Sequence, residues 1–168
     1  MKKTLLATAL AAAMPYVAMA NDIGTVTVDE QSVNMENSQV SIGESANTVA
    51  INGVSKHGIL VNVQGNEATV LGSDITVTSD TTETIRASNG GVVKLGGSNT
   101  KTVDLTGPDT RLVALTGGQI NVQTEKLTIS GGDYGIWVQN NTETATAPEG
   151  ASSLTINAKD TVINAKAN

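Results

Sequence analysis

A chain that performs covalent chemistry has to gather acids, bases or nucleophiles, and the residues able to serve here are few and scattered. His57 is the single histidine, and cysteine is absent. His57 stands in "SKHGILV", which reads as an exposed corner before a strand. Without a second His or any Cys, a metal site or a nucleophile–base pair built on it lacks partners. Asp74, Asp80, Asp104, Asp109 and Asp133 fall in turn-like polar segments, where Asp is favoured for its hydrogen bonds to nearby backbone. No Asp-Asp or Asp-x-Asp pair occurs, so neither a multidentate Ca²⁺ site nor paired carboxylates for sugar cleavage are written. The nucleophile elbow G-x-S-x-G and a Gly-Asp-Ser-Gly motif are both missing. "GGDYG" (131–135) matches part of one calcium-binding nonapeptide, a unit that works only in tandem. The reading is no catalytic residue, no cofactor and no metal.

What remains is recognition chemistry. Tyr134 and Trp137 are the only large aromatics after residue 20, and they precede the polar stretch "NNTETATAPEGASS" (140–153). Rings of this kind anchor recognition sites and stack on sugar faces. The candidate binding residues are therefore Tyr134, Trp137, Asn140 and Asn141. A purely structural role stays open beside this one, with Trp137 plugging a coil widened by the insertion. Asn66, Asn89 and Asn121 sit near strand ends, where stacked amides would be structural.

These residues must be positioned by something exported. The chain opens "MKKTLLATALAAAMPYVAMA": a positive start at Lys2 and Lys3, a short apolar run from Thr4 to Val17, and Ala18-Met19-Ala20 as an A-x-A cleavage site. The run is too short and too interrupted by Pro15 and Tyr16 to span a bilayer. Cleavage is expected between Ala20 and Asn21, leaving one domain from 21 to 168. The formal net charge is −6, and loss of Lys2 and Lys3 makes the remainder more acidic still. Such a chain offers no electrostatic footprint for nucleic acid. With no disulfides possible and no phenylalanine, its core must be aliphatic.

After residue 20, short alternating runs bounded by Gly, Asn, Asp, Ser and Thr dominate, and no helical period of any length appears. The runs form three series: Val33, Ile59, Ile85, Leu112, Ile136; then Ile42, Leu71, Leu95, Val122, Ile156; then Val49, Ile75, Val103, Leu127, Val162. Each steps by about 26 residues, stretching only where 140–153 is inserted. Three strands that recur at this period describe a solenoid, in which each coil lies on the one before. The expectation is all-β: a right-handed parallel β-helix of about five three-strand coils. The paired glycines 90–91, 96–97, 117–118 and 131–132 would turn its corners. In this reading "GGVVKLGG" is one strand with a corner at each end, and "TVDL" is the next. A β-sandwich and a trimeric left-handed β-roll are the alternatives; "VSIGESANTVAING" (40–53) resembles the head repeats of trimeric adhesins, but its short period stops at Gly53.

Leader, cysteine-free Thr/Asn/Gly/Val-rich coils, and runs such as "ETIRASNGGVVKLGG" and "GGDYGIWVQNN" together resemble the passenger domains of autotransporters, pectin-lyase-like β-helix adhesins. The resemblance covers roughly 24 to 168. It implies a secreted or outer-membrane-surface module that adheres to a host surface, an extracellular matrix protein or a glycan. It also implies a parent protein anchored by a C-terminal barrel, and no series of alternating membrane strands is present in 21–168. Two-partner secreted haemagglutinins are a weaker match, since no Asn-Pro pair occurs. A fragment of a carbohydrate-active β-helix enzyme and a trimeric adhesin head are the alternative functions. On the leader, the expected outcome is direct: N-terminal sequencing of the exported product begins at Asn21, and a product that retains Met1 would refute the cleavage site.

Overall fold

The computed structural model describes residues 25–29, 33–35, 39–44, 48–53, 57–80, 83–109, 111–140 and 150–165, with side-chain burial from residue 41 onward. Ala20, Asn21 and Asn141 lie outside the described residues. Within them all regular structure is strand. In chain order these are β1 (Thr25–Asp29), β2 (Val33–Met35), β3 (Gln39–Ile42), β4 (Thr48–Gly53), β5 (Ile59–Val61), β6 (Glu67–Val70) and β7 (Asp74–Ser79). There follow β8 (Ile85–Ser88), β9 (Val92–Gly96), β10 (Thr102–Thr106), β11 (Leu112–Leu115), β12 (Gln119–Ser130), β13 (Ile136–Gln139) and β14 (Ser153–Asn164).

Each described pairing is parallel and joins strands one coil apart. One side of the solenoid is β2-β5-β8-β11-β13. A second is β3-β6-β9, and a third is β1-β4-β7-β10. The long β12 runs across the corner between the second and third sides, its start paired with β9 and its end with β10. β14 then lies along β12 from Ser153 to Asn164. The protein is a parallel β-solenoid. Three coils, 57–80, 83–109 and 111–130, carry every strand position within described residues, against the five expected; β1–β4 and β13–β14 belong to coils described in part.

The inward residues stack on their equivalents, as the period implied. Ile59, Ile85, Leu112 and Ile136 form one column in the register read from the sequence, and the first three are fully buried. In the second column Val70, not Leu71, pairs with Ile42 and Leu95. In the third, Leu127 is overlain by Thr161, not Val162. Both corrections are one-residue slips, and in a strand each slip exchanges the inner face for the outer. Val70 is fully buried while Leu71 is partly exposed. Each fully buried aliphatic of this size contributes about 1.5–3 kcal/mol, so aliphatic columns suffice without aromatic rings.

"GGVVKLGG" does form one strand, β9, between two corners, but its paired glycines divide their work. Gly90 and Gly117 have φ of 75° and 76°, and the residues before them, Asn89 and Thr116, also take positive φ. Gly118, by contrast, is needed for room: a Cβ there would collide with the carbonyl of Ala87, one coil below. Of the asparagines, Asn66 is buried and Asn89 donates to the Asn62 carbonyl at 3.3 Å, whereas Asn121 stacks on Lys94 and Thr155 rather than on amides.

The register makes a sharp mutational contrast. Val70→Asp, which buries an unpaired carboxylate, should cost about 3 kcal/mol or more, and Leu71→Asp less than about 1.5 kcal/mol, measured by urea unfolding. Equal costs would show that the column passes through neither residue alone.

Candidate functional site

The candidate residues meet on the last coil, where the chain departs from its repeat. β13 ends the first side of the solenoid, and its outward Trp137 tops a column of Leu60, Arg86 and Val113. Val113 also points outward by strand alternation, yet it is only 2 % exposed. It sits between Arg86 and Trp137 in that column, so large neighbours above and below shield it. Trp137 itself is 46 % exposed and Tyr134 58 %, and their rings meet edge-on with centroids 6.0 Å apart at 68°. That is a favoured aromatic geometry, and it holds two apolar faces side by side in water. The indole N–H of Trp137 donates to Gln139 Oε1 at 3.0 Å, which fixes the ring's tilt.

The polar stretch that follows is pinched at its base. Asn140 Oδ1 accepts from the Ser152 amide at 2.6 Å, and Ser152 Oγ donates to the Gln139 carbonyl at 2.9 Å. The Gly117 amide donates to Ser152 Oγ at 3.0 Å, tying this clasp to the coil below. Asn140 is thus exposed, but its carbonyl oxygen closes the loop.

The corner that leads to Tyr134 is built around a buried arginine. Arg111 is fully buried at the corner before β11. Its Nε donates to the Ser130 carbonyl at 3.0 Å, its Nη2 to the Gly107 carbonyl, and its Nη1 to Thr84 Oγ1 at 3.4 Å. One guanidinium therefore joins three successive corners. Burial pulls its pKa down, and the carboxylates of Asp109 and Asp133 act in the opposite direction. A guanidinium stays charged under such a load and can satisfy several carbonyls at once. A Cβ on Gly132 would collide with Arg111 Nη2 and the Asp109 carbonyl, so the corner leading to Tyr134 closes only around glycine. The detectable signal was position: Arg111 immediately precedes a core leucine, between the glycine-bearing corners at 107 and 131–132.

Elsewhere, His57 is not the exposed corner residue expected. Its side chain is 19 % exposed and its Nε2 lies 2.7 Å from Glu83 Oε2, one coil on, because the corner folds it against the neighbouring turn. Arg86 Nη1 approaches the other oxygen of Glu83 at 3.5 Å. The His57–Glu83 contact ties adjacent coils, while Arg86–Glu83 lies within one coil. A shallow groove of about 250 Å³ runs over the corner crossed by β12, lined by Ser98, Gln123, Glu125, Asn157 and Lys159 among others. There Lys159 Nζ pairs with Glu125 Oε1 at 2.7 Å and holds that carboxyl below its ordinary pKa. Among the described residues no group of three or more His, Cys, Asp or Glu side chains gathers as a metal site would require.

No family model, no curated protein and no solved structure matches this chain.

The role of Arg111 is testable through the tryptophan. Arg111→Ala strands two carbonyls and a hydroxyl and opens a cavity, for a cost of about 3 kcal/mol or more. If the residue positions the patch, Trp137 fluorescence shifts before global unfolding, and Arg111→Lys fails to restore it because an ammonium cannot span three corners. A variant with unchanged emission and stability would remove Arg111 from this role.

Proposed function

We propose that the protein is an exported, non-catalytic adhesive module of the autotransporter-passenger kind, whose solenoid presents the Tyr134–Trp137 patch to a surface glycan or protein. The observation that carries this reading is the exposed edge-on ring pair in a chain that otherwise keeps to aliphatic side chains. A ring left half in water costs free energy that a core position would recover, and a paired aromatic face recovers it on contact with a ligand. Sugars suit this surface: their C–H faces stack on rings while amides such as Gln139 and Asn140 satisfy the hydroxyls. The leader supports delivery outside the cytoplasm, and the resemblance to passenger domains supports the cell surface as destination, with a barrel-anchored parent. The rigidity of stacked coils supports a presenting role.

A glycan array probed with the purified chain, followed by titration of the hits, is the test. Trp137→Ala and Tyr134→Ala should each weaken binding by ~10-fold or more, in line with aromatic hot spots, while leaving the unfolding midpoint within a few degrees. Retained affinity in both variants, or binding to no glycan or matrix protein, would defeat the proposal.

A further inference from the structure

The ring pair of β13 has a charged counterpart two coils below it. Tyr134 stands three residues before Trp137, as Glu83 stands three before Arg86. Arg86 lies under Val113, and Val113 under Trp137, in one outward column. Neighbouring strands are about 4.8 Å apart, which sets the backbones of Arg86 and Trp137 about 10 Å from each other. Val113 faces outward between them yet is almost wholly buried, so the two longer side chains close over it. The aromatic patch is therefore continuous with a guanidinium. This strip runs from Trp137 back over β11, β8 and β5, each of which is paired on both edges.

Arg86 is the only lysine or arginine in the strands of this side, and its charge is weakly matched. Its one contact among the described residues is an approach of Nη1 to Glu83 Oε1 at 3.5 Å. Glu83 gives its other oxygen to His57 at 2.7 Å. Other pairs are tighter: Lys94 meets Glu67 at 2.8 Å and Lys159 meets Glu125 at 2.7 Å. Arg111, the second arginine, is buried in its corner, where it also serves as counter-charge to Asp109 and Asp133. Arg86 instead has a side chain 34 % exposed, and its Nε and Nη2 have no hydrogen-bond partner among the described residues. Such nitrogens form the planar fork that a carboxylate takes with two parallel hydrogen bonds. Gln139 adds a donor on the same face. Its Oε1 accepts from the indole of Trp137, and its amide nitrogen has no partner among the described residues.

We propose that the patch binds an acidic glycan, with one sugar ring stacked on Trp137 and the carboxylate of a neighbouring hexuronic or sialic acid on Arg86. The inference rests on the reading of the ring pair as a glycan site and names the class of sugar it takes. Charge complementarity selects that class, because a neutral sugar leaves the Arg86 fork unused. The distance from indole to guanidinium is the span of a short oligosaccharide, so the stacked ring and the acid belong to adjacent sugars. The chain as a whole is acidic, and the attraction is local to Arg86. An anion that lacks a sugar ring to stack therefore gains little.

Trp137 is the only tryptophan, so its emission reports on this site alone. The purified chain is titrated with a hexuronic-acid oligosaccharide and with a sialylated one, each beside its carboxyl-reduced, neutral counterpart. One acid form should bind ~10-fold or more tightly than its counterpart, which identifies the acid, and added salt should shrink the difference. Arg86→Gln should erase the preference while leaving neutral-sugar affinity within ~2-fold and the unfolding midpoint unchanged. Arg86→Lys should keep only part of it, because an ammonium lacks the fork. Acid and neutral forms bound equally, with Trp137→Ala abolishing both, would overturn this inference and leave the glycan site standing. A preference that survives Arg86→Gln, or an aspartate-rich peptide bound as tightly as the acid sugar, would also overturn it. Failure of every sugar to bind would overturn the glycan reading as well.

Discussion

Every coil of this protein must place its backbone in register on the coil beneath, because the partners of its N–H and C=O groups lie there and not within its own turn. That one constraint shapes the rest. A parallel ladder fixes which residue stands over which, so side chains fall into columns, and a column tolerates only residues that pack on their own kind. Val49, Ile75, Val103 and Leu127 show the outcome: four coils, one column, no measurable exposure.

The corners bear the cost of this regularity. Where β8 turns toward β9 and β11 toward β12, the backbone passes through two successive positive-φ residues, Asn89–Gly90 and Thr116–Gly117. Thr116 is β-branched and costs about 1 kcal/mol or more in that conformation, so the stacked register must hold it there. Threonines play a quieter part at the corner crossed by β12: Thr100 Oγ1 donates to the Gly72 carbonyl at 2.6 Å and accepts from the Gly97 amide at 2.9 Å. Arg111 is the extreme case, a buried charge spent on two corner carbonyls and the Thr84 hydroxyl. Each device satisfies backbone groups that the ladder itself cannot reach.

Function, in such a molecule, belongs where the repeat fails. The described coils from β5 to β12 vary little in plan, and their outer faces carry short polar chains and ion pairs such as Lys94–Glu67. On the last described coil the repeat is interrupted by the 140–153 insertion and the two rings come to the surface. That place offers an outward aromatic surface on the solenoid's side, which suits a foreign ligand.

How much of this was legible beforehand depends on the range of the interaction concerned. The strands, their period and all three columns, apart from single-residue slips at Val70 and Thr161, could be read directly. Alternation and Gly-rich corners are local signals, and stacking repeats them until the period shows. "EATVLG" and "DTVIN" misled by one residue because each offers adjacent aliphatics, and only the pairing with neighbouring coils decides which one faces in. Tyr134 and Trp137 stood out by rarity alone, but their edge-on contact comes from folding, as does the use of Asn140 to close the loop. Arg111 and the His57–Glu83 pair were invisible as structural ties, since their partners lie about one coil away in sequence and meet them only when the coils stack. The sequence by itself determined a solenoid, because its period is written in local patterns. Tertiary structure alone decided which side chains lock its corners and which of two adjacent aliphatics faces the core, because those depend on contacts between residues a full turn apart.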